Sequence, residues 1–74
     1  MSKNMERIQN GTVEEVFAMV EDDELMLDNK EMVAACKKVI SDEKFVENLS
    51  KTNPTSALAL AFTVRVMRDC GENL

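Results

Sequence analysis

Acidic side chains come first among the groups that could do chemistry. Glu21, Asp22, Asp23 and Glu24 stand in unbroken succession, and Asp28 follows four positions on. Clustered carboxylates hold hard cations such as calcium when oxygens recur at alternating loop positions, with a glycine at the sixth and a glutamate at the twelfth. Here Leu25, Met26 and Leu27 fall where ligands are needed and no glycine follows. The sequence therefore predicts no metal site, but an acidic patch at a helix end, able to meet a basic protein surface and to raise the rate of that encounter.

A second candidate is the tetrad Asn53-Pro54-Thr55-Ser56. Helix starts expose unpaired N–H groups at the positive end of the dipole, and Thr55 and Ser56 add hydroxyls, so a phosphate or carboxylate could sit there. Lys51 is the nearby cation. Arg65 and Arg68, three residues apart, could clamp such an anion from further along the helix. The plainer reading is that Asn53 caps the helix, and that Arg65 pairs with Asp69 while both arginines complement the helix C-terminus.

Nucleophilic catalysis finds few parts. Histidine and tyrosine are absent, and no serine lies in a nucleophile elbow. Cys36 and Cys70 are the two cysteines. Both fall on apolar stretches, where a buried thiol is inert, and two distant cysteines without histidine make no zinc site. The expectation is a protein that is not an enzyme and carries no cofactor.

These residues are carried by helices. Asn53 and Pro54 mark a helix start, and Gly71 a stop in the left-handed conformation that glycine takes cheaply. Between them the apolar arc runs from Phe62 through Val66, Ala59, Cys70, Met67, Leu60 and Val64 to Ala57, roughly 220° at 100° per residue. Leu58 and Ala61 fall within the polar stripe marked by Arg65, Arg68 and Asp69. An ordinary surface helix shows an apolar stripe little wider than about 100°. Cover on more than one side is therefore expected, and the last helix reads as the element around which the others are arranged. A second copy of the chain is the proposed cover, packing on Ala57, Leu60, Ala61, Val64 and Met67 as a homodimer or larger homo-oligomer. The competing arrangement is a monomer with this helix at its centre.

Thr12 and Glu15 form a capping-box pattern before Val13, Val16, Phe17 and Val20, one apolar face of a helix ending near Glu21. Asp28 and Glu31 repeat the pattern ahead of Met32, Val33, Ala35, Cys36, Val39 and Ile40, with Lys37 and Lys38 opposite. Ser41 is the expected cap of a short helix carrying Phe45, Val46 and Leu49. Residues 22–27 read as a turn whose Leu25, Met26 and Leu27 need burial. Residues 1–11 read either as a short helix over about Ser2–Gln9 or as a frayed tail. No segment alternates as a strand. The fold class is all-α, a compact single domain over residues 1–74 of four to five short helices with a long apolar C-terminal one.

Composition narrows the function classes. Net charge is −5, and residues 11–31 alone hold eight acids against Lys30. Such a surface repels phosphate backbones and anionic lipids, which disfavours nucleic acid and membranes as partners. A helix-turn-helix drawn through residues 30–52 would carry Asp42, Glu43 and Glu47 into the groove, which argues against it. No signal peptide or membrane-spanning run is read, and two thiols without a dense disulfide framework fit the cytoplasm. Six methionines with no Trp or Tyr make either an adaptable core or a re-packing contact surface.

The leading expectation is a small intracellular interaction protein, an adaptor or inhibitor of the kind phages and mobile elements encode, acting on a partner protein. The alternative binds a small anionic ligand, a nucleotide or metabolite, at a subunit interface through Thr55, Ser56, Arg65 and Arg68. A third option is an acidic surface that imitates nucleic acid.

Overall fold

The computed structural model describes residues 3–72 and 74. Among the described residues the chain forms five helices: α1 (Lys3–Asn10), α2 (Val13–Glu21), α3 (Asn29–Ser41), α4 (Glu43–Thr52) and α5 (Pro54–Asp69). No strand occurs among the described residues. The all-α expectation holds.

Cap chemistry sets most of the boundaries. The Asp28 carboxylate accepts from the Glu31 N–H at 2.8 Å while Glu31 accepts from the Asp28 N–H at 3.0 Å, a complete capping box that starts α3. The box at α2 is only half made. Thr12 Oγ1 accepts from the Glu15 N–H, but the Glu15 carboxylate takes the Thr12 hydroxyl rather than a backbone N–H. Asp42, and not Ser41, caps α4, accepting from the Phe45 N–H at 3.0 Å. Ser41 remains the last residue of α3 and donates its hydroxyl to the Lys38 carbonyl. Asn53 caps α5 with Pro54 at its first position, as the sequence predicts. At the far end Gly71 takes φ +96°. The Gly71 N–H then reaches the Arg68 carbonyl and the Glu72 N–H the Met67 carbonyl, a Schellman closure.

The core consists of Ile8, Val16, Phe17, Met19, Ala35, Cys36, Val39, Leu60 and Val64. Ile8 is 1% exposed, so the first segment is the short helix and not the frayed tail. Its expected first residue, Ser2, lies outside the described residues. Helix α3 packs against each of the other four, whereas α5 meets mainly α4 and α3. The centre of the fold is therefore α3 rather than the last helix. Its buried face carries Ala35 and Cys36, both at 0% exposure, and small side chains let neighbours approach from several directions. Phe17 and Phe45 pack edge to face with centroids 5.4 Å apart, which ties α2 to α4.

The sequence places Lys38 in solvent. Instead it is half-buried, and its Nζ donates to the carbonyls of Ile8 at 2.7 Å, Gln9 at 3.0 Å and Gly11 at 2.6 Å. These are the free acceptors at the end of α1, where the helix dipole is negative and a cation is favoured. Met26 departs from its expected burial too. It is 86% exposed and left-handed at φ +49°, in a turn held by the Asp22 carboxylate on the Glu24 N–H.

Candidate functional site

Helix α5 is the element whose surface the fold leaves unfinished. Taken at about 100° per residue, Leu60 and Val64 define one direction on its cylinder, and Leu58, Phe62 and Val66 define nearly the opposite one. Leu60 and Val64 are 5% and 7% exposed in the core. Leu58, Phe62 and Val66 remain 72%, 69% and 44% exposed. The broad apolar arc read from the sequence is thus two faces. One is covered by the chain itself and the other faces water.

This divides the expected oligomer contacts. Leu60 and Val64 belong to the interior of the protomer and cannot serve as its outer surface. Ala57 and Met67 are half-buried and Ala61 is exposed. Ala57 and Ala61 border a groove of about 470 Å³ against Ile40 and Val46, whereas Met67 borders a separate groove of about 300 Å³ with Val33, Phe62, Val66 and Cys70. Periodicity misses the outer row because a helix apolar on both sides gives no signal for which side turns inward. It assigns Leu58 to the polar stripe, although Leu58 heads this row.

The proposed anion ligands do not converge. Arg65 and Arg68 line the groove beside Ala57 and Ala61, together with Asp69. Ser56 lies about 13 Å away along the helix and half a turn round from Arg65. There it shares a recess with Glu21 and Asp23 and donates its hydroxyl to the Glu21 carboxylate at 3.3 Å. That carboxylate already occupies the favourable place for negative charge at the start of α5. Lys51 is committed to Glu47 at 3.1 Å, the one ion pair among the described residues. The expected Arg65–Asp69 pair is accordingly not formed, and Arg68 Nε donates to the Leu74 carbonyl at 3.0 Å.

All four acids of the Glu21–Glu24 run are exposed. Two of them have local duties: Glu21 receives Ser56, and Asp22 holds the turn. Among the described residues, no three His, Cys, Asp or Glu side chains come together as a group that could hold a metal ion. The thiols divide. Cys36 is buried, and desolvation pushes its pKa up from the ordinary value of 9.0. Cys70, expected on a buried face, is exposed at the C-cap of α5. No described helix is long and apolar enough to cross a membrane. Comparison of the chain with protein-family models, with curated proteins and with solved structures gives no match.

Proposed function

We propose that this protein is a small interaction module, an adaptor or inhibitor of a partner protein, that uses the outer face of α5 as a contact surface and works as a homo-oligomer rather than as an enzyme. The observation that carries this reading is the row Leu58, Phe62, Val66, three apolar side chains aligned opposite the core and open to water. Fully covering a leucine or phenylalanine side chain is worth about 1.5–3 kcal/mol. More than two thirds of Leu58 and of Phe62 is uncovered, so most of that gain awaits a partner. The apolar groove beside Val33, Met67 and Cys70 widens the row into a surface that an apolar side chain can enter.

The exposed acids on the α2–α3 turn supply the second half of the proposal. They favour a partner with basic residues flanking its apolar contact, and they speed its approach. Affinity capture from native host cells tests both parts. Proteins enriched on the wild-type chain should be lost with Phe62→Glu and retained less at high salt. A set of captured proteins that is identical for wild type and Phe62→Glu would remove the foreign partner from this face.

A further inference from the structure

The outer row of α5 reads the same in both directions. From Thr55 the positions step by three to Leu58, four to Phe62, four to Val66 and three to Asp69. At about 100° per residue all five lie within roughly 40° of one line, and the mean step is about 3.5 residues, the period of a helix–helix seam. Phe62 is its midpoint. A seam symmetric about its midpoint can meet a copy of itself head to tail.

Building on the assignment of this face as a contact surface, we infer that its occupant is a second copy of the chain, with α5 antiparallel to α5 of the partner across a two-fold axis at Phe62. In an isologous contact residue i meets j and j meets i. Phe62 then meets its own copy, Leu58 meets Val66 of the other copy, and Asp69 meets Thr55. Antiparallel packing near 20°, the angle of helical bundles, keeps all five positions in contact.

The terminal pair gives this contact its charge complementarity. Asp69 stands in the last turn of its own helix, where the dipole is negative and an acid is unfavourable. Within the protomer it shares a groove with Arg65 and Arg68 but forms no ion pair among the described residues. Thr55 stands in the first turn, and neither its hydroxyl nor its backbone N–H has a partner among the described residues. Symmetry sets each carboxylate at the positive end of the other helix, and this happens twice per dimer. The opposing charge effect is small. The two Arg65 side chains lie about 9 Å apart along the axis, near the Debye length of about 8 Å at physiological salt, and stay at the rim in water.

A stable interface takes about 800 Å² from each partner, near 15% of the protomer surface of 5274 Å². A single helix pair makes a small, weak interface, so self-association in the micromolar range is expected.

Sedimentation velocity of the full chain from about 5 to 500 µM, concentrations set by that range, should show 8.3 kDa protomers passing to dimers. Phe62→Glu should abolish the dimer with its helical circular dichroism intact. Asp69→Asn should weaken it about 3- to 30-fold, the effect of losing two helix-terminus contacts. In an isolated protomer the same change relieves an unfavourable charge and raises thermal stability. Register is read by oxidising Leu58→Cys and Val66→Cys chains, both in a Cys70→Ser background. Mixed chains should form disulfide dimers and either chain alone should not. A wild-type chain that stays at 8.3 kDa throughout, or cross-linking as strong in single chains as in the mixture, overturns the antiparallel dimer. A monomer that still loses captured proteins on Phe62→Glu would sink this inference alone. Capture unaffected by that change, beside a dimer that it breaks, would sink only the reading of a foreign partner.

Discussion

Replacing Lys38 by methionine keeps the aliphatic stem and deletes the three donors that hold the end of α1. Hydrogen bonds involving a charged group contribute about 1.5–3 kcal/mol each when buried. Here the three share one ammonium that is only half-buried, so their contributions do not add and water competes for each. Losing a single such group together with its interaction with the dipole gives an expected loss of about 2–3 kcal/mol. A chain of 74 residues has a total stability of about 4–11 kcal/mol at 0.05–0.15 kcal/mol per residue, so the change is a large fraction of the whole. Urea unfolding followed by circular dichroism measures it, with Lys37→Met as the control, because Lys37 is exposed one position away. Amide exchange at the end of α1 should speed up more than exchange in α5. If Lys38→Met and Lys37→Met unfold at the same urea concentration, the three contacts contribute nothing net and Lys38 does not hold α1 in place.

Asp42→Ala should cost about 1 kcal/mol through loss of the α4 cap, whereas Ser41→Ala should change the urea midpoint little. The reverse pattern, with Ser41→Ala the costly change, would restore the cap to Ser41. In the folded chain a thiol reagent at neutral pH should label Cys70 within minutes and leave Cys36 untouched until denaturant is added, read by mass spectrometry. Equal labelling of both would contradict the burial of Cys36. The raised Cys36 value also ties stability to pH. The unfolded chain ionises this thiol near its ordinary 9.0, the folded chain only higher. The contribution from keeping it neutral is thus full below about pH 9 and is lost as pH rises toward the folded value. Cys36→Ala should remove that alkaline slope, and an unchanged slope would assign it to another group.

Much of this architecture is legible in the sequence because its signals are local. Asp28 with Glu31, and Asn53 with Pro54, act within one turn of chain, so sequence spacing is nearly a statement about geometry. The faces of α2 and α3 are legible for the same reason. Lys38 is not, since its acceptors lie 27 to 30 residues away and only the docking of α1 on α3 brings them near. The cap at residues 41–42 escapes a sequence reading because serine and aspartate are both good N-caps and composition does not rank them. For the candidate site the difficulty is symmetry of another kind. Where Leu58, Phe62 and Val66 answer Leu60 and Val64 across one cylinder, periodicity reports a helix apolar nearly all round and cannot say which side the fold has used. Hydrophobicity alone places Met26 inside, whereas the turn anchored by Asp22 turns it outward.

Because α3 touches every other helix, it acts as the keystone of the chain. Without it the remaining helices keep mainly the pairings of α1 with α2 and of α4 with α5, joined by the Phe17–Phe45 contact and the Ser56–Glu21 hydrogen bond, too little to hold an interior. Unfolding should therefore proceed in a single cooperative step, with no stage at which the outer row of α5 is displayed by a half-folded chain. The surface offered for assembly exists only when the whole protein does.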